Sequence, residues 1–177
     1  MKEIYLLRHG EKDGDGVLTE RGKQAARDLR GRMPAFALII SSPSDRTVMT
    51  ANLLTGSEPK TDPRAAYATT PADVSARIAA IASEHGIAFL DAARQDNDAE
   101  VLRGIDEQAV VLNELVDDVL HNQLGEDERA LIVSHDLTIV PAMAARGMAN
   151  ESIGPLSGYV ISLAEGMTSV REYNAAI

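Results

Sequence analysis

Three short polar clusters in this 177-residue chain hold the residue types that handle phosphate. They are Arg8-His9-Gly10-Glu11, Ser41-Ser42-Pro43-Ser44-Asp45-Arg46 and Ser134-His135-Asp136. Each directly follows an apolar run: Ile4 to Leu7, Phe36 to Ile40, and Ala130 to Val133. A guanidinium presents a planar fork of donors that matches phosphate oxygens, and such hydrogen bonds are charge-assisted. A histidine near its ordinary pKa serves as nucleophile or proton carrier. If the apolar runs are parallel strands, their carboxyl ends share one crevice, where two arginines and two histidines would meet. Helix N-termini behind the same loops would add backbone N–H donors for an anion.

Every one of these residues also has a plainer role. Arg8 and Arg46 would serve as surface ion-pair partners, and His9 as a hydrogen-bonded structural histidine. Their shared position after a buried strand favours the common site. Asp136 either donates a proton or caps the helix beginning near Leu137. Asp73 fits the first turn of a helix, where the dipole favours a carboxylate. Glu11 and Lys12 read as solvated loop residues, and His85 and His121 as helix-end or surface residues. Asp13-Gly14-Asp15-Gly16 alternates like a calcium loop but lacks the flanking helices and the later glutamate ligand.

The elements that must position these clusters are legible in outline. Ile4 to Leu7, Phe36 to Ile40 and Ala130 to Val133 are continuous apolar runs, the pattern of strands buried on both faces. Thr19 stands as N-cap before a helix over Glu20 to Arg30. Helices are also expected over Ser44 to Leu54, from about Pro71 to Glu84 before Gly86, and over Leu137 to Arg146. Pro141 is tolerable there if it lies in the first turn. Leu112, Leu115, Val116, Val119 and Leu120 form the stripe of an amphipathic helix over Ile105 to Leu124. Ile87 to Leu90 reads as a short strand, and Asp91 to Glu100 as a solvated loop or a lid. Tyr159 to Leu163 and Ser169 to Tyr173 close as a hairpin around Glu165-Gly166. Strands alternating with helices predict an α/β three-layer sandwich, a mostly parallel sheet with helices on both faces. Its core should contain Ile4, Leu6, Leu38, Ile40, Leu115, Val119, Leu131, Val133, Val160 and Leu163.

Composition bounds the function classes. The length suits one domain, residues 1–177. There is no cysteine, which removes disulfides, thiol catalysis and thiolate metal sites. With 17 basic and 27 acidic residues the net charge is −10, unsuited to nucleic acid or an anionic membrane surface. No signal peptide or spanning segment is evident, so a cytoplasmic location is expected. A free edge strand near the C-terminal hairpin would permit a dimer.

Leu7-Arg8-His9-Gly10-Glu11 resembles the signature of the histidine phosphatase superfamily, whose fold is phosphoglycerate-mutase-like. Leu18-Thr19-Glu20-Arg21-Gly22-Lys23-Gln24-Ala25 resembles its first-helix pattern, and Ser41-Ser42-Pro43 with Arg46 and Thr50-Ala51 its second arginine motif. Val133-Ser134-His135 resembles its late histidine motif, and the four blocks keep the family's order across residues 4 to 146. The resemblance implies that His9 is the nucleophile, forming a phosphohistidine that water then hydrolyses. Arg8, Arg46 and His135 would hold the phosphoryl oxygens, with no metal and no other cofactor. The substrate would be a phosphorylated small molecule or a phosphoprotein. The mutase-like branch supplies its proton from a glutamate between the second arginine and the late histidine. That pattern is missing here, where Ala65 to Asp73 offers only Asp73. The acid-phosphatase branch uses an aspartate directly after the late histidine, which makes Asp136 the first proton-donor candidate and Asp73 the second. Mutases of this fold carry inserted segments for which this chain has little room, so hydrolysis is expected over transfer. A protein phosphohistidine phosphatase and a non-catalytic phosphate-binding module are the alternatives.

Overall fold

Alternating strands and helices assemble around a six-stranded sheet in the computed structural model, which describes residues 1–68, 70–149 and 151–175. The chain runs β1 (Lys2–Arg8), α1 (Glu20–Arg30), β2 (Leu38–Ser41), α2 (Asp45–Thr55) and β3 (Lys60–Thr61). A 3₁₀ turn at Pro63–Ala65 leads to α3 (Ala72–His85), α4 (Phe89–Asp96) and α5 (Ala99–Asp118). A π-helical turn, Val119–Gln123, extends α5 before β4 (Arg129–Ser134), α6 (Asp136–Ala144), β5 (Gly158–Ala164) and β6 (Met167–Tyr173).

Strand order is β3-β2-β4-β1-β5-β6. β3, β2, β4 and β1 pair in parallel, while β5 runs antiparallel to β1 and β6 antiparallel to β5. Successive residues of β1 and β4 point to opposite faces, as strand geometry requires. Ile4, Leu6 and Ile132 pack with α5 and α6 on one side. Leu7, Leu131 and Val133 pack with α1 and α2 on the other. Two apolar layers against one sheet make the three-layer sandwich the sequence predicts. A third cluster, built on Ile78, Leu90, Val101 and Ile105, joins α3, α4 and α5 beside Val140. Among the described residues no helix is long and apolar enough to cross a membrane.

Most expected elements form, and the exceptions have physical reasons. The strand after Phe36 begins only at Leu38. Ile87 to Leu90 is not a strand, because Phe89 starts α4. Asp91 to Glu100 is not a loop either: it holds the rest of α4 and the start of α5. Its buried side is made of Leu90, Ala92 and Ala93, and two alanines leave little mark on a hydrophobic pattern. The acidic residues there are structural, since Asp96 and Asp98 bind Arg77 at 2.7 and 3.0 Å, and Asp98 caps α5. Pro141 lies in the second turn of α6 rather than the first. The expected core residues are buried except Leu38 and Leu163, which are partly exposed. β3, only Lys60–Thr61, carries no apolar pattern that would announce it.

One close approach matters for the site. Thr19 caps α1 by accepting the Gly22 N–H at 2.9 Å, and its hydroxyl donates to Glu11 at 2.9 Å. Gly22 then lies directly over the Glu11 backbone, where an added Cβ would collide with the Glu11 carbonyl. Gly22→Ala should therefore lower the unfolding free energy by about 2 kcal/mol, whereas an open helix position would gain up to about 1 kcal/mol. Urea denaturation decides between these signs, and a gain would mean that α1 is not seated on the first loop.

Candidate active site

The parallel register brings the three polar clusters together. β2, β4 and β1 are neighbours, with Arg8 opposite Ser134 and Ser41 opposite Val133. Beyond the strands, the His9 N–H reaches the Ser134 carbonyl at 3.1 Å and the Ser42 N–H the Val133 carbonyl at 3.0 Å. The three chains thus leave the sheet at one level. Arg8, His9, Arg46, His135 and Asp136 line a single cleft of about 760 Å³. Asp73 does not join them; it is exposed in the first turn of α3.

The two histidines are buried and face each other, with ring centroids 5.3 Å apart. His9 Nδ1 lies 2.7 Å from the Gly10 carbonyl oxygen. A carbonyl only accepts, so Nδ1 carries the hydrogen and Nε2 keeps the lone pair. Gly10 is itself anchored, its N–H donating to Thr50 Oγ1 at 3.1 Å. Thr50 in turn donates to the Arg46 carbonyl at 2.6 Å, tying the first loop to α2. His135 Nδ1 is 3.3 Å from Arg46 Nη2, and its Nε2 is 3.0 Å from Ser42 Oγ. Arginine only donates, so Nδ1 of His135 accepts and Nε2 donates to the serine.

Both rings are held neutral. Burial pushes the His9 pKa down to about 4, helped by the positive charges of Arg46, Arg8 and Lys12 and opposed by the bond to Gly10. Burial also lowers the His135 pKa strongly, with Arg46, His9 and Arg8 adding to the effect. Arg8 Nη1 donates to the Ile153 carbonyl at 2.5 Å and pairs with Asp136 Oδ2 at 3.2 Å. Asp136 Oδ1 accepts the Leu137 N–H at 3.0 Å, but the N-cap of α6 is His135, so Asp136 is the first helical residue rather than the cap of a helix beginning at Leu137. Buried Nε–H groups of Arg8 and Arg46 have no hydrogen-bond partner among the described residues. Each such orphan donor costs about 1–3 kcal/mol.

Several lining residues carry no signal that the sequence reading used. Tyr67 packs edge-on against His135 at 4.7 Å and lies under the Arg46 guanidinium at 5.4 Å. It is placed by the preceding turn, whose Ala65 and Ala66 carbonyls accept from Ser134 Oγ at 2.7 Å and Thr138 Oγ1 at 3.1 Å. Ser42 was part of a recognised cluster without an assigned role. Phe89 reaches the cleft from α4, the element misread as a strand. Asp13 Oδ1 accepts the Asp15 and Val17 N–H groups, so the Asp13 to Gly16 segment is a self-bonded turn. Among the described residues no group of three or more His, Asp or Glu is placed to hold a metal ion.

A family model described as the histidine phosphatase superfamily (branch 1) matches residues 4–175. No curated protein matches the chain. Solved structures share the fold at low identity. A mutant phosphoserine phosphatase of Entamoeba histolytica, in complex with phosphoserine, is 17% identical with a TM-score of 0.70, covering 99% of this chain and 98% of that one. A Bacillus anthracis phosphoglycerate mutase is 17% identical, TM-score 0.68, covering 96% and 91%. A mycobacterial glucosyl-3-phosphoglycerate phosphatase in complex with VO3 is 19% identical, TM-score 0.67, covering 99% and 100%.

The lowered pKa values make a pH prediction. In phosphate-free buffer the His9 ring signal, followed by nuclear magnetic resonance and assigned with His9→Gln, should titrate with a midpoint near 4. A midpoint near 6.5 would mean a solvated ring. Between about pH 6.5 and 4 the unfolded chain takes up this proton and the folded chain does not. Stability therefore falls as pH drops through that window, by about 1.4 kcal/mol per unit for His9 alone.

Proposed function

The chain belongs to branch 1 of the histidine phosphatase superfamily, and from that membership we propose a phosphatase that hydrolyses phosphomonoesters through a phosphohistidine on His9. One observation carries this reading to the residues. Two buried guanidinium N–H groups, on Arg8 and Arg46, lack partners in the same cleft that holds the His9 lone pair. A phosphoryl group supplies three oxygens for those donors and an electrophile for that lone pair.

In the first step His9 Nε2 attacks phosphorus while the bond to the leaving oxygen breaks. The Gly10 carbonyl holds Nδ1–H and stabilises the ring as it becomes positive. Arg8, Arg46 and His135 hold the equatorial oxygens, where charge builds up. In the second step water attacks the phosphohistidine and returns the ring as neutral imidazole. The positive charge comes from the protein's own side chains, so the reaction is proposed to run without a metal ion.

Asp136 is the proposed proton donor, being the one carboxylate among the described residues of the cleft lining. Carrying a proton, it would pass it to the leaving alkoxide, then as a carboxylate take one from the attacking water. Asp73, exposed in the first turn of α3 and not among the lining residues, is the second candidate. The bonds of Asp136 to Arg8 and Leu137 favour a second reading, a phosphatase for protein phosphohistidine. Its leaving group departs as neutral imidazole and needs no enzyme acid.

The tests separate these readings. Wild-type protein in EDTA should hydrolyse p-nitrophenyl phosphate and form an acid-labile phosphoenzyme, both lost in His9→Ala. Retained turnover in His9→Ala would remove the nucleophile assignment, and saturable phosphate binding without turnover would favour a binding module. Asp136→Asn should slow alkyl phosphates by about 10²–10⁴-fold and p-nitrophenyl phosphate far less. An equal, small effect on both would leave Asp136 with a structural role at the start of α6. A phosphorylated histidine carrier turned over much faster than any ester would establish the second reading.

A further inference from the structure

We propose that the cleft selects phosphomonoesters whose alcohol is uncharged and bears an aromatic or similarly apolar body, an inference that rests on the phosphatase reading above. The cleft, at about 760 Å³, is far larger than a phosphoryl group needs. Its two sides differ in chemistry. The charged lining residues, Arg8, Lys12, Arg46 and Asp136, all lie at or after the ends of β1, β2 and β4. The segment between the 3₁₀ turn and α4 contributes Ala66, Tyr67, Thr70, Ser75, Ala88 and Phe89, none of them charged.

The arginines of α3 and α4 are committed to carboxylates. Arg77 of α3 is tied to Asp96 and Asp98, and Arg94 of α4 pairs with Asp91 at 3.3 Å. The neutral wall is also firmly backed. Phe89, and Leu137 at the start of α6, are partly buried against the cluster of Ile78, Leu90 and Val140. Tyr67 is fixed edge-on to His135 and beneath Arg46, so its ring flanks the phosphate cradle. A leaving group extending from the phosphate meets aromatic and aliphatic carbon with scattered hydroxyls.

An apolar body loses water against such a wall, which is favourable in proportion to the area covered. A carboxylate in the same place would lose hydration and find no cation on that wall. Arg8 and Arg46 are taken by the phosphoryl oxygens. Lys12 is exposed on the first loop, its Nζ 3.3 Å from the Asp13 carbonyl. The cleft therefore discriminates against acidic esters twice, by an unmet charge and by a desolvated one.

The experiment compares kcat/KM for benzyl phosphate, sn-glycerol 3-phosphate and phosphoserine, with p-nitrophenyl phosphate as the activity reference. Benzyl alcohol and glycerol are similarly basic leaving groups, so their ratio reads the fit of the body. Benzyl phosphate should exceed glycerol phosphate by about tenfold and phosphoserine by about a hundredfold. Phe89→Ala should cut the benzyl-to-glycerol ratio several-fold, and Phe89→Leu, which keeps an apolar side chain against the cluster, should retain most of it. Glycerol phosphate or phosphoserine turned over as well as benzyl phosphate, or a ratio unmoved in folded Phe89→Ala, overturns the proposal. With p-nitrophenyl phosphate still hydrolysed, that result leaves the phosphatase reading intact. Hydrolysis of none of the four esters overturns both.

Discussion

The parallel pairing of β1 with β4, and of β4 with β2, is the constraint on which the rest depends. Parallel strands in register end at the same edge, so whatever follows each strand is delivered to one place. Here that is an arginine at the end of β1 with a histidine after it, a serine after β2, and a second histidine after β4. A slip by one residue would turn Ile4 and Leu6 away from α5 and α6, and Leu7 away from α1 and α2. Core packing and site geometry are therefore fixed by the same register. The two hydrogen bonds that continue past the strand ends, at His9 and Ser42, extend that precision into the loops.

Electrostatics complete the arrangement. A chain of net charge −10 concentrates Arg8, Lys12 and Arg46 on one cleft and buries two histidines among them. Cations and desolvation act in the same direction on an imidazole, keeping it neutral. Neutrality is what a nucleophilic nitrogen needs. The same desolvation leaves two guanidinium N–H groups unpaired, a standing demand for oxygen acceptors. Thus the features that cost stability at the site, a discharged ring and orphan donors, are those that an anion would relieve.

Legibility in the sequence followed the strength of local signals. Buried parallel strands are continuous apolar runs, so Ile4 to Leu7 and Ala130 to Val133 were readable, as was Thr19 as a cap. The convergence of Arg8, His9, Arg46 and His135 followed from strand ends alone. What escaped lay where side chains are small or partners distant. α4 buries alanines, β3 has two residues, and Asp96 and Asp98 look solvated until Arg77, nineteen and twenty-one positions away, is placed beside them. Tyr67 and Phe89 reach the cleft only through the tertiary course of the Ala66 to Phe89 segment. Orientation of His9 by the Gly10 carbonyl needed coordinates.

Asp136 shows how one residue can satisfy both plain and chemical readings. Its Oδ1 accepts the Leu137 N–H in the first turn of α6, and its Oδ2 holds Arg8. These bonds differ in what a substrate would do to them. The Leu137 N–H lies within the helix start and stays put. Arg8, by contrast, has a buried Nε–H without a partner among the described residues, and a phosphoryl dianion competes with the carboxylate for its guanidinium. On the proposed path, binding of substrate shifts Arg8 toward phosphate and frees Oδ2 to take up from solvent the proton that it then passes to the leaving oxygen. The Oδ1 bond meanwhile ties the carboxyl group to the first turn of α6. Holding the helix start and the proposed proton transfer then fall to two different oxygens of one side chain.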